Sequence, residues 1–472
     1  MDIAVRMSRS AASDRMAIAA ILSAMALVVL DSGMVNIALP TIGEGLAEAP
    51  ARTLTIVTAY QLAILVGLLP CAQIADRIGY RRLFVAGVVL FGTSSLLCSF
   101  APTLPLLVAA RFAQGLGGAA IMSLGIALLR LALGSDRLGS AIAWNALVVA
   151  SCSAVAPAAG ALLVSVAGWR WIFVIGLPIA AMALAASPAL PAVRANRRSV
   201  DPLSMILHAL VAAGLVAAAN VATANPMLAA VLVAGALACA LWLIVRERGK
   251  PMPLLPLDLL AHRPFRASVA ASIFFFTAQS AGLLALPFYL QLSHGRGAIM
   301  AGLMVALWPL AVAATSPAAN RLAICYSSRA VCTAGGLVLA AGLAASALWP
   351  IGESIAPIAA CAMICGMGFG LFQVPNNRNM FLAAPADRSA AAGGLQGTAR
   401  LVGQTAGALL MTIILSVVPM SLAPCLAMGL GAIAALIAGW LSWRRQPYVL
   451  GAKETLSHSL SRDGPIAAVA AP

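Results

Sequence analysis

Charge is what this chain has least of. Only 9% of its 472 residues are Asp, Glu, Lys or Arg, where a water-soluble domain carries about 25%. That shortfall excludes an ordinary soluble enzyme or signalling domain. Acid is scarcer than base, 14 residues against 29, and lysine occurs only at Lys250 and Lys453. The four histidines, at 208, 262, 294 and 458, are scattered. No HExxH or paired-carboxylate pattern occurs, so a metal-dependent or acid–base catalytic centre has no support, and no catalytic residue is expected. The nine cysteines form neither CxxC nor Cys/His clusters, which removes disulfide and zinc frameworks. Cys361 and Cys365 stand one helical turn apart in "CAMIC", and helix packing of small side chains is the preferred reading over a metal pair. Neither a metal nor a cofactor is expected. The net charge of +15 would suit nucleic acid if it were concentrated. It is instead dispersed in small groups without stacking aromatics, so no nucleic-acid partner is expected.

What the chain has in abundance is apolar length, with 62% hydrophobic residues. A bilayer core about 30 Å thick needs about 20 apolar residues per helix. Fourteen runs meet that length: 16–38, 54–75, 83–101, 105–129, 139–166, 171–190, 203–221, 227–246, 265–291, 298–319, 330–350, 356–375, 394–418 and 421–442. The reading is an all-α integral membrane protein with short loops and a polar C-terminal tail, the lipid bilayer being its surroundings. The first run is too long, and followed by too many others, for a cleaved signal. Numbering the runs as spans 1–14 puts 24 of the 29 basic residues on the side of the chain ends. By the positive-inside rule both termini are then cytoplasmic, in a multi-pass protein of the inner (cytoplasmic) membrane.

A weak internal repeat accompanies the spans. "AQIADRIGYRRLFVAG" (72–87) and "NRLAICYSSRAVCTAG" (320–335) align at a constant offset of 248, pairing Ala75 with Ala323 and Arg81 with Arg329. The acid and glycine, Asp76 and Gly79, are answered by Ile324 and Ser327. Such pairing of spans 2–3 with 10–11 fits two parallel six-helix halves separated by two extra helices, 203–246.

Four stretches carry chemistry. In "MALVVLDSGMVNIALP" (25–40) Asp31 interrupts an apolar run with no base nearby; it is either a titratable membrane site or an acid satisfied locally at a Ser32-Gly33 kink. "ADRIGYRR" sets Asp76, Arg77, Arg81 and Arg82 around Gly79, and reads either as a latch between helix ends or as positive-inside arginines with an incidental acid. "RFAQGLGGAA" (111–120) places Arg111 and Gln114 on one helix face. An arginine there costs about 2.5–3.5 kcal/mol at helix centre and calls for a partner or cavity. "SCSAVAPAAGALL" (151–163) puts Pro157 and Gly160 in a small-residue helix, suited to bending and close approach, or to plain packing.

In that order these stretches resemble the signature motifs of the major facilitator superfamily, in its fourteen-helix drug:proton antiporter branch. "PLLPLDLLAHRPFRAS" (253–268) and "AAPADRSAAAGGLQGTARLVGQTAG" (383–407) resemble that branch as well. The departures are Ala72 where the loop motif normally opens with Gly, Ala156-Pro157 and Ala159-Gly160 in the bent-helix motif, and a second-half loop without its acid. The resemblance implies an N-terminal six-helix bundle (1–190), two extra helices with linkers (191–264), a C-terminal bundle (265–442) and a cytoplasmic tail (443–472). It implies a central cavity lined by spans 1, 4, 9 and 12, with Gln114, Phe275, Gln279, Tyr289, Gln373 and Asn376 as candidate contacts. It implies proton-coupled export of amphipathic, cationic drugs or toxic small molecules by a protein functional as a monomer. Asp31 would be the coupling acid, Arg111 would set its field, and Asp76, Arg77, Gly79, Arg81 and Arg82 would form the gating loop. The alternative is a proton-coupled exporter or importer of an endogenous metabolite on the same fold.

Overall fold

A computed structural model describes residues 11–191, 201–250, 253–348, 355–384 and 389–445. Helix is the only regular structure among the described residues. Runs of Ala, Leu, Val and Ile cannot leave backbone amides unpaired in lipid, and a helix pairs them within the segment. Among the described residues, fourteen helices are long and apolar enough to cross a membrane: span 1 Ser13–Leu46, span 2 Pro50–Ile78, span 3 Tyr80–Phe100, span 4 Leu104–Leu133, span 5 Leu147–Ala167, span 6 Trp171–Ala189, span 7 Pro202–Val221, span 8 Pro226–Glu247, span 9 Arg263–Ser293, span 10 Ala298–Ala323, span 11 Ser328–Leu348, span 12 Ala356–Leu382, span 13 Ala391–Val417 and span 14 Ala423–Arg444. With an even number of spans, Ser13 and Arg444 lie on one side, called proximal below; the other side is distal.

Several boundaries differ from the apolar runs. Span 1 continues past Pro40 through Glu44. Hydropathy ends where lipid ends, but a helix of 34 residues, about 51 Å long, continues into water, which solvates its last carbonyls. A loop was expected around Arg130–Arg137, yet the backbone is helical from Leu104 to Ala167. The chain nevertheless reverses within it. Arg111 meets Asp31 and Gly125 meets Met25, whereas Ala156 meets Gly33 and Gly160 meets Met34, so span 4 runs antiparallel to span 1 and span 5 parallel to it. Span 6 is broken into Trp171–Val174, Leu177–Ala186 and a 3-10 turn at Ser187–Ala189.

The repeat has a backbone counterpart. Gly79 turns the chain between spans 2 and 3 at φ 98°, and Ser327, at the matching position between spans 10 and 11, adopts φ 81°. Positive φ costs a glycine nothing and is uncommon for serine. The loop geometry thus persists where the sequence has lost its glycine.

Spans 1–6 pack on one another, as do spans 9–14, and the two sets meet along three seams. Span 5 meets span 10, where a side chain added to Gly302 would lie 2.4 Å from Ala161 Cβ and 2.6 Å from Pro157 O. Span 1 meets span 9 near the distal side, with Gln291 Nε2 donating to Ile37 O at 3.2 Å. Span 2 meets span 13, where Leu69 and Leu68 cover Gly394 and Gly397. Spans 7 and 8 pair with each other and dock on span 2 through His208, whose Nε2 lies 3.2 Å from Leu65 O.

Candidate functional site

Asp31 sits just past the middle of span 1 and is 4% exposed; Arg111 on span 4 is 1% exposed. Arg111 Nη1 donates to Asp31 Oδ2 at 2.6 Å. Gln114, one turn on, donates through Nε2 to Asp31 Oδ1 at 2.9 Å and to Ser95 Oγ at 2.7 Å on span 3, while its Oε1 accepts from Arg111. Spacing of three residues puts Arg111 and Gln114 on the same helix face, so one face of span 4 supplies both donors. The Tyr60 ring of span 2 lies 4.1 Å below the Arg111 guanidinium carbon, and Phe173 lies 5.8 Å away. A guanidinium over an aromatic face gains electrostatic attraction without a counter-charge. Arg111 Nε and the Tyr60 hydroxyl have no hydrogen-bond partner among the described residues.

In a low dielectric, a charge pair of this kind holds its helices together only while both partners are charged. A proton on Asp31 would remove the attraction and leave Arg111 held by amide and ring alone. The site is joined to the far half of the molecule mechanically. Two residues beyond Asp31, a Cβ on Gly33 would stand 2.6 Å from Ala156 Cβ; a Cβ on Gly160 would stand 2.8 Å from Met34 Cα. Pro157, between these contacts, presents its carbonyl to Gly302 of span 10. A cavity of about 190 Å³ reaches Asp31 and Ser95 from between spans 1, 3, 5 and 6, with apolar walls that include Met34, Phe91 and Phe173.

The other expected site residues are distributed differently. Gly79 turns the proximal loop, and Asp76 accepts from Tyr80 Oη at 2.8 Å. Arg77 and Arg82 are exposed, Arg81 is half-buried, and none of the three pairs with a carboxylate among the described residues. Within its own loop Asp76 is thus held by a phenol one turn away. Phe275, expected at the cavity, is 0% exposed and stacks on Phe372 with centroids 3.8 Å apart. Tyr289 is buried in a π-helical turn, edge-on to His294. Asn376 is 1% exposed and belongs to a proximal network. Its Nδ2 donates to Ser272 Oγ at 2.7 Å, its Oδ1 accepts from Arg445 Nη1 at 3.1 Å, and Arg445 also donates to Ser268 Oγ at 2.9 Å. These three side chains are committed to packing in this conformation. Gln279 and Gln373 are half-buried, and Gln279 Oε1 has no partner among the described residues.

Sequence reasoning missed Tyr60 and Ser95, whose residue types carry no signal inside an apolar run. It also counted Arg445 merely as a basic residue of the tail. A further cluster lies at the proximal ends of spans 7 and 8, where Asp201 caps span 7 and receives Arg246 at 3.1 Å and Lys250, while Glu247 accepts from Ser204, Lys250 and the amide of Leu254. Burial works to raise the Asp201 carboxyl, but the bonds from Lys250, Arg246 and Ser204 outweigh it and hold the group well below the usual carboxylate range. Burial would lower Lys250, and its bonds to Asp201 and Glu247 raise it instead.

A helical bundle of fourteen apolar spans in two packed sets, with a buried ion pair linked to the seam between them, defines a multi-pass membrane transporter. The sequence profile of the Major Facilitator Superfamily matches residues 21–408 and 267–462, and the chain belongs to that family. It is 37% identical over 410 residues to the uncharacterized transporter YebQ of Escherichia coli K12, covering 85% of this chain and 89% of that protein. It is 29% identical over 431 residues to the multidrug resistance protein Stp of Mycobacterium tuberculosis CDC 1551 / Oshkosh, covering 90% and 76%. It is 26% identical over 374 residues to the riboflavin transporter RibZ of Clostridioides difficile 630, covering 79% and 81%. Among solved structures, an auto-inhibited POT family peptide transporter superposes with a TM-score of 0.68 over 92% of this chain and 98% of the other at 16% identity, a likeness of fold.

Proposed function

We propose that this transporter is a proton-coupled exporter of amphipathic drugs or toxic small molecules, working by alternating access in the inner membrane with both termini cytoplasmic. The observation that carries the reading is the buried Asp31–Arg111 pair, set two residues from the contact that joins span 1, span 5 and span 10. With Asp31 ionised, Arg111 and Gln114 clamp span 1 to span 4. Protonation opens the clamp, span 1 shifts against Ala156 and Gly160, and Pro157 passes the shift to Gly302 in the other half. Arg111 positions the carboxylate; the loop around Gly79 limits how far the proximal ends of spans 2 and 3 separate. The similarity to Stp supports export of drugs, since that relative is named for multidrug resistance.

The second reading, transport of an endogenous metabolite, has the similarity to RibZ behind it. Proteoliposomes loaded with candidate compounds separate the two. An imposed proton gradient should drive efflux of several unrelated amphiphiles by the wild type, and a protonophore or Asp31→Asn should abolish it. Selective transport of one metabolite favours the second reading. Gradient-driven efflux by Asp31→Asn would overturn the role given to Asp31.

A further inference from the structure

Only three charged side chains lie seven or more residues from both ends of a described span: Asp31, Arg111 and Arg400. The first two neutralise each other. Arg400 has no ion pair and no hydrogen bond among the described residues, and its Nε is closed off from solvent. Among the described residues, the spans packed on span 13 supply no counter-charge at the level of Arg400. Spans 7, 9, 12 and 14 contain no Asp or Glu, and the single acid of span 2, Asp76, stands eight residues beyond Leu68 toward the proximal side. The Leu68–Gly397 contact sets the register, which places Asp76 about 16 Å below Arg400 along the axis.

The neighbours of span 13 fix the direction in which Arg400 points. Gly397 and Gly394 lie under Leu68 and Leu69 of span 2, and Leu401 joins the core formed by spans 1 to 4. Gly403 and Gly407 lie against Ile273, Phe276, Thr277 and Ser280 of span 9. At 3.6 residues per turn, Arg400 and Gln404 fall between those two faces, on the stripe that looks into the seam between the halves. In the same antiparallel register Gln61, seven residues before Leu68, comes level with Gln404, seven residues after Gly397. Gln61 Oε1 is buried and has no partner among the described residues, as is true of Gln279 Oε1 and Thr405 Oγ1.

We propose that Arg400 binds the substrate, and that the substrate carries a negative charge on an amphipathic body, as an organic sulfonate or carboxylate does. This deepens the transporter reading above, on which it rests. A guanidinium presents two parallel donors to a planar or tetrahedral anion, and glutamine amides can add donors beside it. A cation entering the same seam would meet a mid-membrane charge of +1 once Asp31 is paired. The assignment therefore reverses the substrate charge that the resemblance to drug:proton antiporters implied.

The test is equilibrium binding to the full chain in nanodiscs, without a proton gradient, using 2-naphthalenesulfonate and 2-naphthylmethylammonium as probes of equal size and opposite charge. The wild type should bind the sulfonate at least tenfold more tightly. Arg400→Gln should lose that margin for the sulfonate and leave the ammonium unchanged, Arg400→Lys should keep part of it, and Gln61→Leu, which spares the arginine, should weaken the sulfonate severalfold. A wild type that prefers the ammonium, or sulfonate binding equal in the wild type, Arg400→Lys and Gln61→Leu, would overturn the proposal. A chain that binds sulfonate through Arg400 yet shows no proton-driven efflux would instead refute the exporter reading and leave this assignment standing.

Discussion

The two halves of the molecule treat a buried arginine in opposite ways. In the first half, Arg111 has a carboxylate, an amide and an aromatic face around it. In the second, Arg445 is surrounded by neutral groups (Ser268, Asn376 and Cys332) and Arg400 by none. Moving a charge from water into the membrane is expensive, so each arrangement implies a different use. A paired charge can act as a clamp that a proton releases. A charge bonded to neutral dipoles ties helix ends together. An unpaired charge facing the seam stays poised for something that arrives from outside the protein.

The largest effect should come from breaking the paired site on one side only. Arg111→Gln leaves Asp31 buried without its cation, and should cost about 3–5 kcal/mol of stability. The double variant Asp31→Asn, Arg111→Gln should recover most of that loss, because two amides can bond each other without any charge. Thermal unfolding in detergent reads both, and neither variant should couple efflux to protons. A double variant no more stable than the single one would remove the ion pair from the comparison.

A smaller loss is expected in the second half. Arg445→Gln leaves Asn376 Oδ1 and Ser268 Oγ short of a donor, a penalty of about 1–3 kcal/mol, and should lower the melting temperature while sparing proton coupling. Smaller still is Asp201→Asn at the proximal ends of spans 7 and 8, where half-exposed pairs are each worth below about 1 kcal/mol. Because the folded carboxyl titrates below its ordinary value, its contribution is present above about pH 4 and disappears as pH falls through the depressed value. The difference in melting temperature between wild type and Asp201→Asn should hold from neutral pH to pH 5 and shrink below pH 4. At the end of the series stands Arg400→Leu, which breaks no bond within the protein. It should leave stability within about 0.5 kcal/mol or raise it, and a clear loss would show that Arg400 has a structural partner after all.

Much of this was legible from residue order. The spans follow from hydropathy because lipid punishes any unpaired backbone group, and the motif residues Asp31, Arg111 and Gln114 were singled out by polarity in an apolar setting. Less legible was which polar residues the cavity receives. Phe275 and Asn376 have the right chemistry for a ligand, yet Phe372 and Arg445 occupy them, because the glycines of span 12 seat it on spans 10 and 11 and leave Phe372 and Asn376 against span 9. Arg400 shared a run with many small residues, and nothing in that run separates a clamp from an open charge. Positive φ at Ser327 was likewise hidden, since the type of the residue argues against it.

By itself, then, the sequence determined that the chain is helical and carries fourteen runs long and apolar enough to cross a bilayer, because each helix must satisfy its own backbone wherever water is absent. Only the tertiary structure decided that Asp31 finds Arg111, 80 residues away, and that Arg400 finds no acid among the described residues. Charge is a property of a residue, but its partner is set by which helices small side chains allow to come close.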